Sequence, residues 1–223
     1  MTPAEQPPDL DWRDEAIPVS RRFDDPYFSL AGGLEETRHV FLTGNGLPDR
    51  FRDGFRIAEL GFGTGLNLMA TLLAHHGPGR LFFTSFEAFP MEAPDIARAL
   101  AAFPETASVA SAFLDQWANG ARTLHFPNLT AEIIIGDARQ TLPAWQDQAD
   151  AWFLDGFSPA KNPELWSDDL MAEVARHTAP GGTFATYTAA GHVRRALAEA
   201  GFAVTRSPGF GRKRHMSRGE MPV

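Results

Sequence analysis

Three acids close apolar runs in this chain, each where a carboxylate would meet a small polar ligand on an open α/β sheet. Leu81-Phe82-Phe83-Thr84-Ser85-Phe86 ends on Glu87, Ile133-Ile134-Ile135-Gly136 on Asp137, and Ala151-Trp152-Phe153-Leu154 on Asp155. A fourth run, Ile57-Ala58-Glu59-Leu60, enters Gly61-Phe62-Gly63-Thr64-Gly65 and passes directly into Leu66-Asn67-Leu68-Met69, the pattern of a strand, a tight turn and a helix. Glycines let the backbone take positive φ and approach a ligand, and the free N–H groups of a helix start favour a negative or hydrogen-bond-accepting group. Many nucleotide-binding sheets share such a turn, so context must specify the ligand. Glu87 stands where a carboxylate accepts hydrogen bonds from ribose hydroxyls. For any one acid a helix N-cap or a solvated turn is the alternative. The three acidic strand ends and the glycine turn that closes the fourth together describe a ligand lying across the carboxyl edge of a parallel sheet.

The elements that must hold these groups follow from the rest of the pattern. Pro3, Pro7, Pro8 and Pro18 among charged residues predict a loose arm over residues 1–20. An insert follows, in which Phe23, Tyr27 and Phe28 mix with Asp24 and Asp25, and a helical stripe of Leu34, Phe41 and Leu42 ends at Gly44. Packing alone accounts for these aromatics, yet their place ahead of the first core strand leaves them free to fold over a ligand. Pro94 opens one helix and Pro104 another, with Val109, Phe113, Leu114 and Trp117 at helical spacing. A hairpin around Pro127-Asn128 leads into the strand that ends at Asp137. Asn162 as cap and Pro163 at the first helical position predict a helix to about residue 178, and Pro180-Gly181-Gly182 turns into a strand over residues 183–188. A last helix stops at Gly201, and two strands near residues 203–206 and 215–221 close the chain. The expected fold is α/β, with a seven-stranded mostly parallel sheet. The expected division is an arm and pocket-closing insert over residues 1–54 and a Rossmann-like domain over 55–223.

Composition narrows the function classes. The 223 residues are 43% hydrophobic and contain no run of the roughly 18 apolar residues a membrane span needs, so no membrane association is expected. The first ten residues are polar and proline-rich, unlike a secretory signal. Zero cysteines exclude disulfides, thiolate metal sites and thiol nucleophiles, which fits a cytoplasmic enzyme. The seven histidines show no ligand spacing beyond the adjacent His75-His76, and no metal is expected. A formal charge of −8 argues against nucleic acid, but seven of the last 33 residues are Arg or Lys against two acids. Arg212, Lys213, Arg214 and Arg218 form either a phosphate-binding patch or a solvated tail.

Several stretches resemble one family: Pro18-Val19-Ser20 with residues 23–29, then residues 59–67, the string Asp155-Gly156-Phe157-Ser158-Pro159-Ala160-Lys161-Asn162-Pro163-Glu164-Leu165-Trp166, and Gly209-Phe210-Gly211-Arg212-Lys213-Arg214. The chain is similar along nearly its whole length to the tRNA-modifying methyltransferases that occur alone as MnmD and as the N-terminal half of bifunctional MnmC. The resemblance implies a class I S-adenosylmethionine-dependent fold. It also implies N-methylation of 5-aminomethyl-2-thiouridine at the tRNA wobble position, and a separate oxidoreductase as a possible partner.

The residues suit that chemistry. Methyl transfer from a sulfonium is an in-line displacement governed by positioning, and a protonated amine has no lone pair with which to attack. A carboxylate beside the donor orients the amine and accepts its proton, directly or through water, and Asp155 is the candidate; capping of the Gly156 turn is its other reading. Gly61, Gly63 and Gly65 are expected at the methionine portion of the cofactor, Glu87 at the ribose, and Asp137 with Ala138 at the adenine, with Phe62, Asn67 and Asp155 also counted among the cofactor-binding residues. Asn67 is alternatively helical filler. Tyr27, Ser29 and Glu35 are expected to close the pocket from the insert, and Phe157 and Pro159 to shape the base pocket of a flipped-out uridine. Trp166 is assigned to the core. Other readings are a small-amine methyltransferase or aminopropyltransferase, a noncatalytic S-adenosylmethionine-binding module, and a nicotinamide dehydrogenase. The last lacks the third glycine at its usual spacing.

Overall fold

The computed structural model describes residues 7–29 and 32–223. Residues 10–20 form a hairpin, β1 (Leu10–Arg13) and β2 (Ile17–Ser20), which β3 (Asp25–Pro26) extends to a small antiparallel sheet. This corrects the expected loose arm: β2 is buried along its whole length and lies against the helix at Ala93–Leu100, far along the chain. Pro3 and the rest of residues 1–6 lie outside the described residues.

The chain then winds through α1 (Gly33–Thr37), continued by a wider turn over Arg38–Leu42 and a tighter one over Thr43–Asn45. The stripe of Leu34, Phe41 and Leu42 is buried as expected, but the stop falls at Gly46, whose φ is 68°. Gly44 is small for another reason: a Cβ there would stand 2.8 Å from the Cβ of Ala185.

The main body follows in alternation: β4 (Arg56–Leu60), α2 (Leu66–Ala74), β5 (Leu81–Glu87), α3 (Ala93–Leu100), α4 (Ala107–Ala118), β6 (Thr123–Phe126), β7 (Leu129–Ile135), α5 (Ala138–Thr141), β8 (Ala149–Leu154), α6 (Asp168–Arg176), β9 (Thr178–Thr186), α7 (Gly191–Glu199), β10 (Ala203–Pro208) and β11 (His215–Glu220). Among the described residues its sheet has eight strands in the order β10-β11-β9-β8-β4-β5-β7-β6, one more than expected because the hairpin strand β6 pairs along β7. The inner strands are parallel, while β11 and β10 close one edge antiparallel. Successive residues of β8 feed opposite faces: Trp152 and Leu154 join one apolar cluster, Phe153 the other. Burial of each such side chain contributes about 1.5–3 kcal/mol.

Two further boundaries differ from expectation. The helix proposed from Pro163 is a single tight turn, Pro163–Trp166; Ser167 then turns extended and caps α6 by accepting from the Leu170 N–H, and Asn162 makes no side-chain cap. The Pro180-Gly181-Gly182 segment does not precede a strand but lies within β9, which shifts register against β8 there and ends at Thr186. Among the described residues no helix is long and apolar enough to cross a membrane.

Candidate active site

The strand order reverses between β4 and β8, which are neighbours although β5 and β7 intervene in sequence. A crevice therefore opens beyond their carboxyl ends, and it is a cleft of about 1430 Å³ that reaches from the small N-terminal sheet to the C-terminal hairpin. Gly61, Gly63 and Gly65 have φ of 86°, 54° and 75°. A Cβ on Gly61 would lie 3.2 Å from the Cα of Gly156, so the glycine turn and the loop after β8 touch backbone to backbone. Gly61, Phe62, Gly63 and Asn67 line the cleft, whereas Gly65 packs behind it against Phe62 and Phe113.

Glu87, at the end of β5, accepts from the N–H groups of Gly63 (2.9 Å) and Phe89 (2.7 Å). Burial raises its proton affinity, and those N–H groups oppose the rise. Asp137 takes the bland role as well as a place on the wall: it caps α5 through the Arg139 N–H (2.9 Å) and pairs with the Arg139 guanidinium, which holds its carboxyl below the usual range. Ala138 is buried beside it.

Asp155 ends β8 at the bottom of the cleft. Its Oδ1 accepts from the Gly156 N–H (2.8 Å) and its Oδ2 from the Asn67 amide (2.9 Å). Burial pushes its pKa up to about 6, against the lowering pull of those two donors and of Lys213. At neutral pH it is therefore ionised yet more basic than an ordinary carboxylate. Asn67 is more than helical filler, since the same amide nitrogen donates to Glu59 Oε1 (2.7 Å), joining two carboxylates. Glu59, fully buried, also accepts from Ser85 (2.6 Å), and desolvation lifts its proton affinity well above normal. Sequence reasoning gave Glu59 no role, although an acid inside a parallel core strand is itself a signal, because carboxylates are almost never fully buried without partners.

The insert closes over this floor. The Ser158 N–H donates to Asp25 (2.8 Å), and Lys161 pairs with Asp24 and Asp25. Phe23 stacks on Phe157 at 4.7 Å, Tyr27 meets Phe157 edge-on at 5.0 Å, and Arg22 lies over Phe89 at 4.6 Å. Ser29 donates to Glu36. Glu35 is exposed and outside the cleft lining; its neighbour Glu36, missed in the sequence, lines the cleft instead. Pro159 lies outside the lining, and Phe157 within it. Trp166 is buried and donates from its indole to Phe157 O. Tyr187, also missed, lines the cleft and donates to Gly156 O (2.7 Å). Burial first, then the negative charge of Asp155, raises the proton affinity of its phenol.

The four basic candidates separate. Lys213 reaches into the cleft and pairs with Glu36 at 2.8 Å, while Arg212, Arg214 and Arg218 stay on the exposed surface of the β10–β11 hairpin.

Fold and site together define a class I methyltransferase. Residues 104–222 match the family described as S-adenosyl-L-methionine-dependent methyltransferase, and the chain belongs to that family. It is 48% identical over 225 residues to the tRNA 5-methylaminomethyl-2-thiouridine biosynthesis bifunctional protein MnmC of Caulobacter vibrioides, covering 96% of this chain and 38% of that protein. The same protein of Ectopseudomonas mendocina is 48% identical, over 94% of this chain and 34% of its own length. The chain thus spans a little over a third of these relatives. The crystal structure of MnmC2 from Aquifex aeolicus superposes with a TM-score of 0.79 at 26% identity, covering 99% of this chain and 74% of that one. Precorrin-6y C5,15-methyltransferase from Geobacter metallireducens shares the fold, with a TM-score of 0.55, 12% identity, and coverage of 98% of this chain and 100% of that one.

The residues present fit the family's cofactor. Three positive-φ glycines leave a backbone cradle, the Glu87 carboxylate is fixed beside it, and the buried Oδ1 of Asn67 has no protein partner.

Proposed function

We propose that this chain methylates the exocyclic amine of 5-aminomethyl-2-thiouridine at the wobble position of tRNA, giving 5-methylaminomethyl-2-thiouridine. The observation that carries the reading is Asp155: an ionised carboxylate of raised basicity, fixed by Gly156 and Asn67 where the cleft floor meets the glycine turn. Bound S-adenosylmethionine supplies the methyl group as a sulfonium. Gly61, Phe62, Gly63 and Asn67 hold its methionine end, Glu87 its ribose, and Asp137 with Ala138 its adenine. Asp155 orients the substrate amine and takes its proton at Oδ2, leaving the nitrogen lone pair free to attack. Tyr27, Phe157 and Ser29 shape the substrate side and limit water there.

The reading of tRNA as partner draws on the relatives' names and on the basic hairpin. His215, on that hairpin, has its proton affinity lowered first by desolvation and then by Arg206, Arg214 and Arg194, so positive charge gathers on this face. Arg212, Arg214 and Arg218 would meet backbone phosphates. An oxidoreductase, the second activity implied by the resemblance, is the proposed functional partner. The arm and insert over residues 1–54 act as the closing unit of the domain at 55–223.

Labelled S-adenosylmethionine offered with aminomethyl-bearing tRNA and, in parallel, with polyamines tests this directly. Label is expected in the tRNA; label on polyamine alone would support the small-amine reading in its place.

A further inference from the structure

An ammonium group already sits in the cleft, and its surroundings describe what the site selects. Lys213 arrives on the loop between β10 and β11, after Gly209 and Gly211, and its Nζ lies 2.8 Å from Glu36 Oε1 and 4.4 Å from the centre of the Tyr187 ring. Ser29 holds the other oxygen of Glu36, so the carboxylate is fixed in orientation. Tyr187 is itself fixed by its bond to Gly156 O, the residue next to Asp155. The Glu36 side chain is 10% exposed and that of Lys213 43%, so a largely buried anion is matched by a cation that can withdraw to solvent. A carboxylate, an aromatic face and a second carboxylate nearby are the groups that bind an alkylammonium, and a buried carboxylate left without a cation is costly.

We infer that Glu36, Tyr187 and Asp155 form the recognition subsite for the substrate's aminomethyl cation, and that Lys213 is a built-in stand-in that fills it until the substrate amine displaces it. On displacement, Lys213 swings out beside Arg212 and Arg214, where a phosphate can take its charge. Docking of the nucleic-acid backbone and opening of the amine subsite are then one event. Glu36 is a specificity-determining residue, because a neutral substituent at the same ring position would leave it buried and unpaired. The inference deepens the amine-directed reading and rests on it only for the identity of the group that bears the cation.

The test uses benzylammonium, a –CH2NH3+ group on a planar six-membered ring, with benzyl alcohol as its uncharged counterpart. Each is titrated into the full chain with S-adenosylhomocysteine present. A subsite occupied most of the time by Lys213 lowers apparent affinity by the free fraction, so Lys213→Ala should bind benzylammonium about five- to tenfold more tightly than wild type. Lys213→Met, which keeps the apolar stem, should show the same gain, and adding Glu36→Gln to Lys213→Ala should abolish it. Benzyl alcohol should not discriminate among these proteins. Equal affinity of wild type and both Lys213 variants for benzylammonium would overturn the inference, as would parallel responses to the charged and uncharged probes. The probe needs no methyl transfer: absence of label in tRNA with the expected probe pattern rejects the proposed substrate alone, and label in tRNA with a flat probe pattern rejects the stand-in alone.

Discussion

Replacing Asp155 with Asn should make the protein more stable at neutral pH. The folded state lifts the pKa of this group from 3.8 to about 6. A carboxyl raised in the folded state stabilises fully below its unfolded pKa, and that contribution is lost as pH rises through the folded value, because the folded protein binds the extra proton. Each unit corresponds to about 1.4 kcal/mol, so wild type forgoes at most about 3 kcal/mol at pH 7 relative to an uncharged isostere. Asparagine can keep the bond from the Gly156 N–H. Asn67 must then turn its amide so that Oδ1 faces both the new Nδ2 and Glu59, whose strong preference for the protonated form makes it able to donate. The bonds donated by Gly156 and Asn67 already act against the rise to about 6, so nothing further is subtracted for them and the gain at pH 7 is about 2–3 kcal/mol. Urea unfolding of both proteins from pH 4 to 7.5 measures the difference. It should grow from near zero at pH 4 to its full value above pH 6.5, since the slope contributed by Glu87 is common to both. A difference independent of pH, or a loss of stability at pH 7, would refute the assignment of a desolvated, raised carboxyl at this position.

Other perturbations probe the supports of the site. Gly61→Ala places a Cβ 3.2 Å from the Gly156 backbone at φ of 86°, and with about 1–2 kcal/mol of left-handed strain should weaken S-adenosylmethionine binding by about tenfold or more, as isothermal titration would show. Asp25→Ala removes the acceptor of the Ser158 N–H and a partner of Lys161, so amide exchange of residues 17–27 should accelerate while that of β4 stays unchanged. Arg212→Ala with Arg214→Ala should weaken tRNA binding and reduce the slope of log K against log salt by about 2, leaving methylation of the free aminomethyl nucleoside intact; an unaltered slope would remove the hairpin from the interface.

What the sequence disclosed was decided locally. The glycine turn, the acids closing β5 and β8, and the apolar periods of the main body are readable because strand, turn and helix each depend on a few adjacent residues. The hairpin that carries the eighth strand was readable, though not its place in the main sheet, and the break at Ser167 escaped because a single cap competes with equally good local alternatives. The N-terminal hairpin looked loose because α3, against which β2 lies, is far along the chain. The same reason hides the cleft's charge pairs. Glu35 and Glu36 differ by one step of about 100° around a helix, and only docking against the C-terminal hairpin decides which faces Lys213. Asn67 sits in the first turn of α2, and a side chain there leans back toward the strand ends, the one directional hint that it would bridge Glu59 and Asp155.

The central claim is that Asp155 frees and aims the substrate amine without holding the cofactor. Single-turnover methyl transfer to aminomethyl-bearing tRNA, with S-adenosylmethionine affinity measured on the same samples, compares wild type with Asp155→Ala. The account predicts a rate lower by about 10²-fold or more, with cofactor affinity within a few-fold. An unchanged rate, or a loss that tracks weakened cofactor binding alone, would contradict it.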